Sequence, residues 1–370
     1  MNLVTLAMHN LKRRPIRTGL SILGVGLAVG SALALISLSH SIQGSAREGM
    51  DEMGDDLVVM QKGASDVFGG FIPEQTVGLV AATPGVTRVS GEMALFAPSG
   101  AKAVLTLGWP DGSYLWQKVP LRDGRTPISG ERHVVVLGDI AAASLGKKLD
   151  DEMELTGQTF RVVGIANYTT IVNRGLVLVP LVDLQDATYR QRQVTVVHVN
   201  IEHPSGRAEL DHVRSAIQAL GVTVSTPDEV LDNDRNFKIL EAISLAVAII
   251  AVAMSALNVL NALVMATQER TREIGILAAI GWSNGQIMMS IVVEGIIMCV
   301  IGCVLGVLLS FLAALAFPHI PAIGNLLSFR PSGRLITPVV AAAFALCILG
   351  SLFPAWRAVR MVPAEALRRI

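Results

Sequence analysis

Four stretches of this 370-residue chain carry no charged side chain and are long enough to cross a lipid bilayer. A hydrocarbon core of about 30 Å needs roughly 20 mostly apolar helical residues. Residues 18–39 satisfy this, and so do residues 242–267, whose strongly polar positions are Asn258 and Asn261. Residues 295–329 are long enough for one span and a hairpin loop marked by Pro318, Pro321 and Pro331, and residues 335–356 form the fourth run. Charged residues make up only 16% of the chain, against about 25% in soluble domains. That composition argues against a purely soluble enzyme and excludes a disordered or nucleic-acid-coating chain. The first run follows a basic flank, as a signal peptide does. Its 22 apolar residues exceed the roughly 7–15 of a signal-peptide core, so it reads as an uncleaved anchor.

The formal net charge is zero, but the charges are segregated. Residues 44–236, between the first and second spans, hold 17 Lys/Arg and 25 Asp/Glu, a net of −8, leaving +8 on the remainder. The basic residues of the remainder cluster before span one (Lys12, Arg13, Arg14, Arg17), between spans two and three (Arg270, Arg272), and after span four (Arg357, Arg360, Arg368, Arg369). Four spans put both termini and the loop between spans two and three on one side, and the positive-inside rule makes that side cytoplasmic. The acidic domain is then extracytoplasmic. The expected organisation is a cytoplasmic lead (1–17), span one with a stalk (18–43), an external α+β domain (44–236), and a second stalk and span (237–267). A cytoplasmic segment (268–286), span three (287–317), an external loop (318–334), span four (335–356) and a cytoplasmic tail (357–370) follow.

Within the external domain, Val- and Ile-rich runs bounded by Gly, Pro and Asp predict strands at 56–61, 86–93, 103–108, 133–137, 160–166, 176–180 and 194–201. Helices are expected at 73–83, 137–145 and 205–220, the last with Leu210, Val213, Ile217 and Leu220 at helical spacing before Gly221. Chemistry-bearing motifs are missing: HExxH does not occur, and no predicted strand leads into a GxSxG elbow. His198, Glu202 and His203 are not spaced as two ligands on one helical turn. The nearest approach to a phosphate loop, at Gly146-Lys147, has Ala141 and Lys148 where the motif needs Gly and Ser/Thr. Cys299, Cys303 and Cys347 all fall in apolar spans, as packing residues or, for the i, i+4 pair, a two-thiol site. The apolar, glycine-punctuated run 67–73 could be a partner-contact loop or a buried hairpin.

The segment between spans two and three begins charged and turns apolar at helical spacing before Gly281. Glu269 and Glu273 lie i, i+4 on one side of a short amphipathic helix on the inner membrane face, either solvated and snorkelling or a docking element for a cytoplasmic partner. Gly26 and Gly30 in span one, and Gly302 and Gly306 in span three, form GxxxG pairs that let helices approach closely, although Gly is common in membrane helices anyway. Asn258 and Asn261 should face protein, since polar groups are costly in lipid. Glu294, the one acid of span three, is expected to pair with an Arg or to snorkel, with a proton relay as the alternative. Trp282 fits an interfacial anchor. Residues 232–267 read as one helix, about 54 Å at 1.5 Å per residue, and residues 41–51 as a partner stalk that Gly44 and Gly49 weaken.

The run NALVMATQERTREIGILAAIG (261–281) resembles the signature of MacB/FtsX-type ABC-transporter permeases. The lead HNLKRRPIRTGLSILGVGLAVG (9–30), the ending PAWRAVRMVPAEALRRI (354–370) and the external segment 121–166 are similar to the corresponding parts of that family, so the resemblance covers both ends and the middle. It implies that Glu269, Arg270, Thr271, Arg272, Glu273, Ile274, Gly275 and Ile276 lead into and form a coupling helix that contacts an ATPase. It further implies a non-catalytic subunit of a bacterial inner-membrane complex. Such a complex contains two ATPase subunits and two permeases, as a homodimer or with a paralogue, and the dimer is expected through spans one and two. A periplasmic adaptor or membrane-fusion protein is a further possible partner, and no nucleic acid is expected. Only about 17 residues precede span one, so no cofactor is expected on this chain and ATP and Mg belong to a partner. Relatives implied by the resemblance either export or extract cargo by mechanotransmission or, as FtsX-like regulators, activate an external cell-wall hydrolase.

Overall fold

The computed structural model describes residues 3–64, 66–202, 206–316 and 332–359. The loop with Pro318, Pro321 and Pro331, together with His203, Arg360, Arg368 and Arg369, lies outside the described residues. Helix α1 covers Leu3–Lys12 and α2 Pro15–Met53. The strands follow as β1 Leu57–Gln61, β2 Ile72–Pro73, β3 Val86–Ser99, β4 Lys102–Trp109, β5 Leu121–Gly124 and β6 Val134–Gly138. After them come β7 Glu152–Leu155, β8 Gln158–Ala166, β9 Val177–Pro180, β10 Gln193–Val194, β11 Val196–Ile201 and β12 Val222–Ser225. Helices α3 Gln75–Ala81, α4 Asp139–Leu145, α5 Ile171–Arg174, α6 Leu181–Ala187, α7 Arg207–Gln218 and α8 Pro227–Asn233 are interleaved with them. The chain ends its described course with α9 Arg235–Glu269, α10 Thr271–Ala279, α11 Asn284–Ala316 and α12 Gly333–Val359. Two compact units result, one of residues 3–41, 240–316 and 332–359 and the other of residues 42–239.

Helices α2, α9, α11 and α12 are each long and apolar enough to cross a membrane. Four spans with a large mixed α/β domain between the first and second is the architecture the apolar runs predict. In the membrane unit, α2 and α11 meet through their glycines. A Cβ on Gly30 would stand 3.0 Å from the Gly306 carbonyl oxygen, and one on Gly302 would stand 2.6 Å from Val25 Cβ. Small residues therefore set the backbone separation of spans one and three within a single chain, as close packing in lipid requires. Cys299 and Cys303, 3.8 Å apart at sulfur, are buried in the same packing, as is Cys347.

The large unit is built on a sheet in the order β12-β1-β11-β3-β4-β9-β6-β8-β5, with β7 added on β8. Strand β3 joins its two halves, pairing β11 through residues 86–92 and β4 through residues 93–99. The apolar run of β6 follows from burial on both faces. Val135 and Leu137 enter one core with Phe160 and Val162, whereas Val134 and Val136 enter another with Trp109 and Trp116. The expected strands form within a residue or two of their ends, except that β3 extends to Ser99 and the run 194–201 divides at Thr195 into β10 and β11, which lie in different sheets. Four short strands, β2, β5, β7 and β12, carry no alternation long enough to mark them. The run 67–73 is mixed: Gly70 and Ile72 are buried and β2 pairs with β10, whereas Gly69 and Pro73 are exposed and Phe68 tilts at 5.4 Å against the exposed Phe96. Gly146, in the near-miss phosphate loop, closes helix α4 in the left-handed region, and Lys147 Nζ donates to the Glu152 carbonyl at 2.6 Å. A helix precedes that glycine, the reverse of a phosphate cradle.

Two helices differ from their expected extents. Gly44 and Gly49 do not interrupt α2, which continues to Met53 and ends at Gly54 with φ +67°. Contacts of its last turns explain this: Asn173 Nδ2 donates to the Gly49 carbonyl at 3.0 Å, and Glu52 accepts from the Thr169 amide at 2.7 Å and the Thr170 hydroxyl at 2.8 Å. The expected single helix over 232–267 is instead broken at Asp234, whose Oδ1 accepts from the Asn236 and Phe237 amides and so caps the start of α9.

Candidate functional site

The charged residues of the sequence signature collect at the corner between α9 and α10. Glu269 closes α9, and Arg270 (φ −106°, ψ 17°) leaves helical geometry before Thr271 restarts it. Thr271 Oγ1 donates to the Gln268 carbonyl at 2.7 Å, which tightens the corner. At the far end, Gly281 (φ +101°) sits in the left-handed region that lets the Trp282 amide reach the Leu277 carbonyl at 3.0 Å. Ser283 and Gln286 then form a reciprocal cap on α11, with Ser283 N donating to Gln286 Oε1 at 2.9 Å and Gln286 N to Ser283 Oγ at 3.3 Å. Helix α10 is thus a nine-residue segment with defined stops at both ends. Trp282 packs partly against the membrane core.

The side chains of α10 divide by face. Ile274 and Gly275 are buried, while Arg272 and Ile276 are exposed. Arg270 turns inward, its Nη1 2.8 Å from Glu294 Oε1 and its Nε 3.0 Å from Glu273 Oε2. Asn10 Nδ2 donates to the same Glu294 oxygen at 2.6 Å. Glu273 also accepts from Arg13 at 3.1 Å, and Glu269 from Arg17 at 2.8 Å and from Arg14. These groups line a cavity of about 350 Å³. Three carboxylates and four guanidinium groups therefore neutralise one another almost completely where α1, α2, α9, α10 and α11 converge.

Of the eight residues the sequence assigns to coupling, Glu269, Arg270 and Glu273 are paired within the chain, Ile274 and Gly275 are packed, and Thr271 bonds the preceding turn. Arg272 and Ile276 remain exposed. The arrangement holds a short helix against two spans while leaving one face of it open. Sequence reasoning missed Asn10 as a partner of Glu294, because residues 284 apart in sequence carry no local sign of contact. The glycines of α2 and α11 are brought together, as described above. Asn258 meets α2 where Gly24 leaves room, its Nδ2 3.4 Å from the Ser21 carbonyl, whereas Asn261 is exposed on α9. Gly24 carries no motif; the helix on its other side gives it its role. Among the described residues, no group of three or more His, Cys, Asp or Glu is placed to hold a metal ion.

Comparison with known proteins agrees with this layout. The family described as MacB-like periplasmic core domain matches residues 18–220, and the FtsX-like permease C-terminal family matches residues 245–363. An uncharacterized ABC transporter permease of Mycobacterium tuberculosis is 27% identical, over 97% of this chain and 98% of its own length. The macrolide export ATP-binding/permease protein MacB of Chromobacterium violaceum is 26% identical over 98% of this chain, which spans 60% of that longer protein. Among solved structures, the periplasmic region of MacB from Actinobacillus actinomycetemcomitans aligns with 47% of this chain and 89% of its own, at 13% identity and a TM-score of 0.38.

Proposed function

This chain belongs to the MacB/FtsX family of ABC-transporter permeases, and from that membership we propose that it turns ATP hydrolysis on a separate subunit into movement of its own external domain. The movement drives export or extraction of a substrate from the cell envelope. An ABC permease works with an ATPase partner. Two copies of that ATPase, with ATP and Mg, act on a pair of these permeases in the bacterial inner membrane. Both termini and α10 face the cytoplasm, as the positive-inside rule supports.

The open face of α10 carries this reading. Arg272 and Ile276 offer a charge and an apolar side chain to a partner, while the opposite face and both ends are fixed to spans. Force on such a helix moves the spans rather than the helix alone. Lengths support mechanotransmission. Helix α2 has 39 residues and α9 has 35, about 58 and 52 Å at 1.5 Å per residue, against about 30 Å of hydrocarbon. Each therefore reaches well beyond the bilayer as a continuous helix. The macrolide exporter among the relatives supports the export class.

Association with the ATPase subunit tests the reading. In nanodiscs, the double variant Arg272→Glu with Ile276→Glu should bind the ATPase at least about tenfold more weakly, as loss of a charged and an apolar anchor does. The variant chain should still insert and stay monodisperse. Undiminished ATPase binding by a well-inserted double variant would remove α10 from the docking surface. Glu273→Lys is a less direct probe, because it also breaks the pairs to Arg13 and Arg270.

A further inference from the structure

We propose that Glu294 and Arg270 form a positioning node that locks the α9–α10 corner to α1 and α11, so that a push on α10 reaches span three and the lead into span one together. The proposal rests on reading α10 as the docking helix. Glu294 is the one acid of α11, it lies within an apolar helix, and only 4% of its surface is exposed. Its Oε1 receives two donors from different elements, Asn10 Nδ2 at 2.6 Å and Arg270 Nη1 at 2.8 Å.

Arg270 is the connecting residue because it sits at the one non-helical position of the corner. Its planar fork reaches two carboxylates at once, Glu294 on α11 and Glu273 on α10, which a lysine cannot do with the same geometry. Glu273 passes the connection to Arg13, while Glu269, next to Arg270 in sequence, pairs separately with Arg14 and with Arg17 at the start of α2. The Arg13–Glu273 pair is solvated, its side chains 59% and 48% exposed, and the Arg17–Glu269 pair is half-buried. Exposed pairs of this kind hold geometry weakly. The buried pair is different, since removing one partner strands the other charge away from water. The node therefore defines one corner geometry, and the outer pairs follow it.

The measurement is the width of a distance distribution across the node, with the full chain in nanodiscs. Nitroxides placed through an unnatural amino acid at the exposed positions Leu20 on α2 and Ile280 beyond α10 avoid the native cysteines. The unaltered chain, diluted with unlabelled chain so that distances within one copy are read, should give one narrow distribution. Glu294→Gln keeps side-chain shape but removes the charge, and it should broaden the distribution by about twofold or more, as release of a two-state element would. Arg270→Lys should give an intermediate width, and the exchange Arg270→Glu with Glu294→Arg should narrow it again. If Glu294→Gln fails to fold, Asn10→Ala, which removes one donor outside the apolar span, should widen the distribution moderately. A width unchanged in both Glu294→Gln and Asn10→Ala overturns the proposal.

With the ATPase and ATP added, Glu294→Gln should still bind the ATPase, because Arg272 and Ile276 are untouched, yet lose the nucleotide-dependent shift in distance. A shift of full size in this variant also overturns the node. If the unaltered chain recruits no ATPase, the docking reading fails by itself. The distribution widths of the chain alone still decide the node.

Discussion

At the scale of single residues, the large unit contains a buried imidazole between two acids. His198 Nδ1 lies 2.5 Å from Asp55 Oδ2, and Nε2 lies 3.2 Å from Glu92 Oε2. Trp109 Nε1 donates to Glu92 at 2.6 Å, and the Tyr114 hydroxyl donates to Asp55 at 3.0 Å. Burial alone pushes the imidazole towards its neutral form, but the charges of Asp55 and Glu92 outweigh it and hold its pKa well above 6.5. Burial likewise raises the Asp55 carboxyl, and the imidazolium then brings it below its ordinary 3.8. Lys118 adds to the lowering of Asp55, and Arg88 faces the Tyr114 ring from 6.0 Å. Because the imidazole gains protons on folding, its contribution is complete below about pH 6.5 and is lost as pH rises through the elevated folded value. That of Asp55 is complete above about pH 3.9 and fades as pH falls through its lowered value. Stability should therefore hold at mildly acidic pH and decline as pH rises above about 6.5. Denaturation of the full chain in detergent, followed by Trp109 and Trp116 fluorescence, checks this. His198→Ala should cost about 3–5 kcal/mol, the scale of a broken buried pair, and should flatten the alkaline decline. An unaltered pH profile in that variant would take the cluster out of the stability balance. The cluster was illegible in the sequence. His198 draws notice there beside Glu202 and His203, but its partners stand 143 and 106 positions away. Strand pairing brings them in, with β11 between β1 and β3, placing His198 across from Val58 and Ser90.

At the scale of elements, the glycines of α2 are not equivalent. A Cβ at Gly19 meets nothing within 4 Å, whereas one at Gly30 meets the Gly306 carbonyl oxygen and one at Gly306 meets the Gly26 carbonyl oxygen at 2.8 Å. Gly19→Ala should therefore raise helix stability by up to about 1 kcal/mol through propensity alone. Gly306→Ala should cost about 1–3 kcal/mol through overpacking, since the obstructing atoms are backbone and cannot rotate away. Thermal scanning in detergent should show the two melting temperatures moving in opposite directions. Equal shifts would mean that α2 and α11 do not pack through these residues. The GxxxG spacing was legible because it repeats with the helix, but its partner was not, since the pattern fits a second copy as well as another span. Asp234 was legible in principle: an aspartate just before a helical run is an N-cap. The break is hidden because helices lie directly on both sides of it, α8 ending at Asn233 and α9 starting at Arg235.

At the scale of the whole molecule, charge distribution predicts sidedness. The unit-sized segment 44–236 has a net of −8 and the rest of the chain +8. Lys and Arg retained on one side decide orientation more than acids do, so the basic clusters beside α2, α10 and α12 should stay on the cytoplasmic face. This order of spans was legible because bilayer thickness and charge act on local sequence, without reference to distant contacts. The interior of the large unit was harder to read, because strand order depends on pairing across the chain. Sidedness is open to a direct measurement. The three native cysteines are buried, so thiol labelling has a low background. Tyr189 is 92% exposed in the large unit and Ile280 is 73% exposed beside α10. In spheroplasts, an impermeant maleimide should label Tyr189→Cys at once and Ile280→Cys only after the membrane is opened. The opposite pattern would place α10 outside, where no ATP-hydrolysing partner could reach it, and the coupling function would fall with the topology. Replacing Arg13, Arg14 and Arg17 by Gln weakens the first basic cluster while Arg270 and Arg272 remain. Those remaining charges should keep most chains correctly oriented, with a minor fraction of Ile280→Cys becoming labelled from outside.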